Sequence, residues 1–432
     1  MIATVVIAVL TCLALVVCVL VKPEVNIKKF SLPLYPLIAV LGAICAVAFT
    51  PLTLEKCWHG ITGVGAVNPL KILTLFISVT AISIFLDEVG FFEFLACKVL
   101  KSAGSSKIKL FILLYVTVSI LTVFTSNDIV ILTFTPFILY FCKNANVKPT
   151  PFLISEFAAA NTWSMMLMIG NPTNVYIASS AGITFTQYVS VMAIPTVFAG
   201  LATFAVLLLI FHKCLKEPIK KPAGQIEVRI KDKPLCILGI TVLAVCTISL
   251  VISEYINIEM WIECAACAIF LIISTLLVCA IRHKKPVALG KALARVPYSL
   301  IPFVLGMFVV VLALNNCGAT TYIAQVFNYS PLIEYGIGSF LASNMVNNIP
   351  MSVLFSSVIQ AGNGGNAAIY ASIIGSNIGA LLTPVGALAG IMFSSITKKG
   401  GEKFSNLTFM KYGVCVSLAG LAASLAGLLI FV

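Results

Sequence analysis

AANTWSMMLMIGNPTN (residues 159–174) aligns without a gap to GSNIGALLTPVGALAG (375–390), in a register that pairs Asn161 with Asn377 and Gly170 with Gly386. A helix cannot run smoothly through Gly170, Pro172, Gly375, Gly379, Pro384 and Gly386, because glycine is a poor helix former and proline lacks the N–H. Each stretch is therefore expected to unwind near its middle. Upstream, SND (Ser126–Asp128) is answered by SNM (Ser343–Met345), and each is followed by a proline, Pro136 and Pro350. Two matched pairs in the same order imply a duplication. One repeat covers 1–212 and the other 235–432, joined by a Lys/Pro-rich linker over 213–234 that is expected in the cytoplasm.

The apolar background makes these polar islands informative. Of the 432 residues 60% are hydrophobic and only 10% charged, and the mean hydropathy is +1.10. Several apolar runs reach the ~20 residues needed to cross a bilayer. They are continuous and do not alternate with period two, which argues against a β-barrel. The expected fold class is an all-α polytopic membrane protein with the lipid bilayer as its first partner. The first run lacks a basic leader and a small-residue cleavage site, so it is expected to be a retained helix and not a signal peptide.

Ten runs fit full spans: 2–22, 31–51, 67–86, 151–179, 188–211, 235–253, 260–281, 298–316, 366–396 and 408–431. Residues 110–142 instead hold two apolar arms of about 16 and 14 residues around TSND, each about 21–24 Å long as helix and short for a ~30 Å core. Residues 331–361 repeat this with still shorter arms around SNMVNN. Both read as re-entrant helical hairpins. With that layout all of the 27 Lys and Arg except Lys56 and Lys71 fall on one face, which the positive-inside rule makes cytoplasmic. Both termini then lie outside an inner (cytoplasmic) membrane, and the formal charge of +12 needs no nucleic-acid partner. Each repeat holds five crossings, an odd number, so the second copy is inverted. Inverted repeats with interrupted helices mark secondary transporters, whose sites lie between the repeats near the midplane.

The polar residues at these interruptions are the candidate site. Asp128 is the one acid expected at a hairpin tip, where a charge costs ~2.5–3.5 kcal/mol. It either titrates or binds a cation, or it caps a helix starting at Ile129, and the two roles are compatible. Ser126, Asn127, Ser343, Asn344, Asn347 and Asn348 sit at helix breaks, where they complete a cation shell or satisfy the broken backbone. Asn161, Thr162, Ser164, Gly170, Asn171, Thr173, Asn174, Ser376, Asn377, Thr383 and Pro384 line the unwound segments. Glu156 near the start of its helix is expected to complement the helix dipole. Asp87 and Glu88 are expected to be solvated, and Glu254, Glu259 and Glu263 to sit at the outer mouth. With no Lys or Arg at the interruptions, the site favours a neutral or weakly charged solute, or an anion bound with Na⁺.

Other classes fit less well. His59, His212 and His283 lie near membrane edges, no HExxH motif occurs, and no catalytic set or resident metal is expected. Cysteines lie mostly in apolar runs as small hydrophobes, and Cys264 with Cys267 forms a CxxC that reads as packing. A pore would not need two matched half-sites.

TSNDIVILTFTPFI (125–138), ITFTQYVSVMAIP (183–195), SNMVNNIPMSVL (343–354) and IGSNIGALLTPVGALAGIMF (374–393) resemble, in order and spacing, the arsenite efflux permeases of the ArsB type. These belong to the ion transporter superfamily that also holds NhaD-type Na⁺/H⁺ antiporters and divalent anion/Na⁺ symporters. The resemblance implies an inverted-repeat transporter fold, with no cofactor beyond H⁺ or Na⁺ as coupling ion. It implies proton-coupled efflux of arsenite or antimonite, with a Na⁺-coupled carrier of a carboxylate or other small anion, or a Na⁺/H⁺ antiporter, as the alternative. In the symporter branch such tips bind Na⁺ and carboxylate, which would place Na⁺ at Ser126, Asn127, Ser343 and Asn344. A homodimer, and a cytoplasmic ATPase subunit for a true arsenite pump, are implied in the same way. The resemblance also carries a departure: arsenite permeases have Asp where this chain has Asn161 and Asn377, and symporters have Thr where it has Asp128.

Overall fold

Apolar sequence and local capping together set the helices of the computed structural model, which describes residues 1–21, 24–27, 30–63, 68–219, 229–327, 329–362, 364–401 and 405–432. The predicted cytoplasmic charges Lys22, Lys28, Lys29, Lys220, Lys221 and Lys403 lie outside the described residues, as does the Glu254 side chain. Helix α1 (Ile2–Val21) is followed by a short antiparallel pair, β1 (Glu24–Ile27) with β2 (Phe30–Pro33), of which β1 falls between the first two expected spans and β2 overlaps the start of the second. Then come α2 (Tyr35–Phe49), α3 (Leu54–Thr62), α4 (Pro69–Glu88), α5 (Phe91–Ala103), the hairpin α6 (Lys107–Phe124) and α7 (Asn127–Ala145), α8 (Thr150–Trp163), α9 (Pro172–Ser180) and α10 (Phe185–Leu215). The same order recurs as α11 (Lys233–Ile256), α12 (Met260–Ile281), α13 (Val287–Arg295), α14 (Leu300–Asn316), α15 (Ala319–Val326), the hairpin α16 (Pro331–Val346) and α17 (Asn348–Ala361), α18 (Gly365–Gly379), α19 (Leu388–Lys399) and α20 (Asn406–Leu428).

Local chemistry explains the boundaries. Asn68 caps α4 by accepting from the N–H groups of Leu70 and Lys71, with Pro69 at the first helical position. A reciprocal Thr184–Gln187 capping box opens α10, and Asp232 caps α11. The short helices α3, α5, α13 and α15 were not foreseen, because their apolar stretches are too short to read as spans. In α5 the buried face is Phe92, Ala96, Val99 and Leu100, while Lys98 and Lys101 are exposed.

Eight helical segments among the described residues are long and apolar enough to cross a membrane, and α1 and α2 add shorter apolar stretches. The protein is a multi-pass membrane protein. Two of the eight are α6 and α7, of 18 and 19 residues, longer than the arms expected within 110–142. Ser106 starts α6 early by accepting from the Lys109 N–H, and α7 continues past Pro136 until Asn146 turns it off at φ 52°. The second hairpin has arms of 16 and 14 residues, also longer than expected though shorter than those of the first.

Packing brings the interruptions to the centre. Each hairpin's first arm lies on the broken helix of its own half, α6 on α8 and α16 on α18, while its second arm lies on the other half, α7 on α19 and α17 on α9. Around this bundle α10 packs on α20, α2 on α14 and α4 on α12. Helices α16 and α18 approach closely: a Cβ on Gly375 would overlap the Ser339 hydroxyl and the Gly336 carbonyl, and one on Gly379 the Ser343 hydroxyl. Small residues permit such contact where lipid supplies no hydrophobic drive. Asp87 and Glu88, expected in solvent, instead hold Arg295 of α13 at 2.8 and 2.5 Å, and Asp87 also accepts from Thr133 of α7. Pairing an acid so close to the membrane removes the cost of leaving it desolvated alone.

Candidate functional site

Both aligned stretches unwind as their glycines and prolines dictate, at matching positions. Helix α8 ends at Trp163 and α18 at Gly379. A single 3₁₀ turn follows in each, Met168–Gly170 and Pro384–Gly386, and the helices restart at Pro172 and Leu388. Gly170 is required by space, since a Cβ there would overlap the Ser164 carbonyl.

The two asparagines of the aligned stretches end the first halves of these helices, and their surroundings differ. Asn377 is fully buried and uses all its hydrogen-bonding capacity. It accepts from Ser164 Oγ at 3.1 Å and Asn171 Nδ2 at 2.8 Å, and donates to Asn174 Oδ1 at 2.6 Å and the Ile373 carbonyl at 2.8 Å. Three of those partners belong to the first half's interruption, so Asn377 ties the two interruptions together. Asn161 is as buried but reaches only the first hairpin, accepting from Asn127 Nδ2 at 3.1 Å, with its own amide on the Phe157 carbonyl. Asn174 and Thr173 complete the first interruption: Asn174 donates to the Ser164 carbonyl, and Thr173 donates to Asn171 Oδ1.

The second hairpin grips the second interruption. Asn344 donates to the Gly379 carbonyl at 2.9 Å and accepts from Thr383 Oγ1 at 2.6 Å. Asn347 donates to the Val385 carbonyl at 3.0 Å, beside Pro384. The SND and SNM tips are not structural equivalents. Ser126 and Asn127 begin the second arm of their hairpin, whereas Ser343 and Asn344 lie in the last turn of α16, and the bend falls at Asn347. Asn347 holds φ 74° and ψ 152°, a region that costs a non-glycine residue about 1–3 kcal/mol. Its contacts to Val385 and to the Ile349 N–H, which it caps, hold it there.

Asp128 does not cap a helix at Ile129. Helix α7 starts one residue earlier than Asp128, with Ser126 as the capping position. The Asp128 carboxylate is half-buried at the positive end of α7 and makes no hydrogen bond or ion pair to the described residues. At the tips and broken helices the hydroxyls of Ser126, Thr162 and Ser376 and the amide oxygen of Asn348 are buried with no hydrogen-bond partner among the described residues. Free oxygen donors of this kind fit a polar solute or a cation. Among the described residues no cluster of three or more His, Cys, Asp or Glu is placed to hold a metal.

Like Asp87 and Glu88, Glu156 departs from its expected place. Glu156 is 0% exposed; its two oxygens accept from Thr135 of α7 at 2.9 and 3.0 Å. Its place seven residues into α8 puts it past the first turn, where a dipole contact fades. Only the packing of α7 on α8 shows that it faces inward.

Comparison with known proteins adds the lineage. The family described as citrate transporter (CitMHS) matches residues 2–375. The arsenical pump membrane protein of Escherichia coli K12 is 27% identical over 375 residues, covering 82% of this chain and 84% of its own length. That of Yersinia enterocolitica is 27% identical over 376 residues, with the same coverage. Among solved structures, the YdaH transporter of Alcanivorax borkumensis matches with TM-score 0.59 at 11% identity, covering 99% of this chain and 98% of its own. MtrF of Neisseria gonorrhoeae, from a class of antimetabolite efflux pumps, matches with TM-score 0.55 at 14% identity, covering 99% and 94%. These two likenesses concern the fold.

Proposed function

The chain belongs to the citrate transporter family, so it is a membrane transporter and not an enzyme, and we propose that it exports trivalent arsenic or antimony hydroxides in exchange for protons. The observation that carries this reading is the Asp128 carboxylate at the start of α7, which makes no hydrogen bond or ion pair to the described residues and follows Asn127, whose amide reaches Asn161. Arsenite is an uncharged hydroxide at neutral pH, and uncharged oxygen donors suit it without fixed positive charge. Asp128 then takes up and gives off the coupling proton. Each coupled charge supplies ~2.3 kcal/mol per 100 mV of membrane potential. The names of the arsenical pump relatives support the solute class.

The recurring helix order and the crossed packing of each hairpin on the other half support an inverted repeat over 1–212 and 235–432. In this reading both hairpins are re-entrant. Asn161, the partner of the first tip, lies about 17 Å along α8, near mid-depth of a ~30 Å core. The bundle of hairpins and broken helices moves against α2, α4, α12 and α14. Both termini lie outside the inner membrane, and a homodimer and a cytoplasmic ATPase subunit remain part of the proposal through the resemblance alone.

A second reading is favoured by the amides of Asn161 and Asn377, which cannot carry protons. It is Na⁺-coupled transport of a small carboxylate, with Na⁺ near Ser126, Asn127, Ser343 and Asn344, in keeping with the family's description. Everted vesicles bearing the protein separate the two. Under the first reading, a pH gradient drives arsenite and antimonite uptake, a Na⁺ gradient does not, and Asp128→Asn abolishes it. Absence of metalloid flux under either gradient overturns that reading in favour of the anion carrier.

A further inference from the structure

Glu156 plays no part in the transport reading above, yet among the described residues it is the acid with no exposed surface at all. Its carboxyl meets one side chain, Thr135 of α7, at 2.9 and 3.0 Å, and no cation pairs with it among the described residues. The other buried acids differ. Asp87 accepts from the neighbouring α7 hydroxyl, that of Thr133, at 2.6 Å, but it also holds Arg295 at 2.8 Å. Glu263 lies in the first turn of α12, where a helix N-terminus favours negative charge. Glu156, past the first turn of α8, has neither support.

One hydroxyl supplies one proton to a carboxylate that has about four acceptor sites. A carboxylate left otherwise unpaired inside a membrane bundle is costly. The neutral acid needs no cation, and the same hydroxyl serves it by accepting from the acid O–H. The arrangement therefore fits a carboxylic acid that holds a proton. Ionisable groups on the helices packed against α8 make their bonds elsewhere. Tyr115 of α6 donates to the Gly200 carbonyl, Tyr188 of α10 to that of Met165 and Tyr370 of α18 to that of Gln187. Lys107 of α6 pairs with Glu217, while Lys143 of α7 and Lys411 of α20 are exposed.

Along α7, Thr135 lies seven residues from Asp128 and eight from Lys143, about 10 and 12 Å. Glu156 thus sits about midway between the first hairpin tip and the face marked by the exposed Lys143 and Lys148. Its contact with Thr135 also joins parts that are held differently, since α8 packs on α6 of its own half while α7 packs on α19 of the other. We propose that Glu156 is a second proton-carrying residue of the transport cycle, placed between Asp128 and that face. It holds its proton in this conformation and gives it to water when α7, moving with the second half, parts Thr135 from it. Release leaves a carboxylate, and rebinding of one proton closes the cycle, so no further reactant is needed. The proposal rests on the proton-exchange reading above.

Infrared difference spectroscopy of the full-length protein in lipid at neutral pH tests the protonation. Wild type minus Glu156→Gln is expected to show the carbonyl band of a buried carboxylic acid. Thr135→Val, which removes the hydroxyl, is expected to displace that band without abolishing it. In proteoliposomes loaded with a pH indicator, protons moved per arsenite or antimonite are expected to fall by one in Glu156→Gln. They keep the wild-type value in Glu55→Gln, which changes an exposed acid of α3. The count is a ratio, so a variant that is merely slower or less stable leaves it unchanged. Should Glu156→Gln fail to assemble, the displaced band and a displaced pH profile of uptake in Thr135→Val carry the test. A missing carboxylic band, a wild-type proton count in Glu156→Gln, or an unmoved band and profile in Thr135→Val overturns the proposal and leaves the proton-exchange reading standing. A wild type that moves neither solute under a pH gradient overturns that reading and this proposal with it.

Discussion

Replacing Asn377 by alanine should cost more stability than the same change at Asn161, although the sequence presents the two as equivalents. Both side chains are 0% exposed, and truncation removes the same atoms, so the cavity cost is common to both. Each also loses one bond to the carbonyl a turn earlier in its own helix, Phe157 or Ile373. What differs is what is left behind. Asn161→Ala orphans only Asn127 Nδ2. Asn377→Ala orphans Asn171 Nδ2 and Asn174 Oδ1 and strips Ser164 of one of its two acceptors. An extra orphaned buried group costs about 1–3 kcal/mol in soluble hosts, and an interhelical bond in a membrane bundle averages about 0.6 kcal/mol. The lower scale governs where partners can re-pair within the bundle, which puts Asn377→Ala about 1–2 kcal/mol below Asn161→Ala. Denaturation in mixed micelles by titrated SDS, followed by far-ultraviolet circular dichroism, measures the difference. Equal losses, or a larger loss at Asn161, would refute the claim that Asn377 joins the two halves.

Two further outcomes follow from close packing and from charge. Gly375→Ala forces α16 and α18 apart at Ser339 and Gly336 and should destabilise by about 1–3 kcal/mol in the same denaturation, while Gly290→Ala, whose Cβ meets nothing, should not destabilise. At the mouth of α11, partial burial raises the Asp232 carboxyl, but hydrogen bonds from Arg282 and the Leu235 N–H, with the charges of Arg282 and Lys284, bring it below its ordinary value. A carboxyl lowered by folding stabilises above the unfolded value and loses that contribution as pH falls through the lowered one. Asp232→Asn keeps a capping side chain, so the melting gap between wild type and this variant should shrink from about pH 5 downward; a gap constant with pH contradicts the role assigned to the ion pair.

Which polar residues meet was only partly legible. Gly170, Pro172, Pro384 and Gly386 announce an interrupted helix because backbone chemistry is local, and the gapless alignment places turn and restart at matching positions in both halves. The hairpin tips mislead for the opposite reason. SND and SNM look alike, but where a tight bend falls depends on which residue's strain the neighbours relieve, and Val385 holds Asn347 in that role. Glu156 is the sharper lesson: an acid near the start of a helix looks like a dipole partner until α7 is seen to cover it with Thr135.

By itself the sequence determined that this chain crosses a membrane many times and that two aligned stretches are interrupted by glycine and proline at matching positions. Those are consequences of hydropathy, charge and helix propensity, each read within one or two turns of chain. Tertiary structure alone decided that Asn377 and not Asn161 joins the halves, that Asp87 and Glu88 hold Arg295, and that Glu156 meets Thr135. Each of these depends on a hydrogen bond or ion pair between residues brought together by packing, and such pairs leave no period in the sequence.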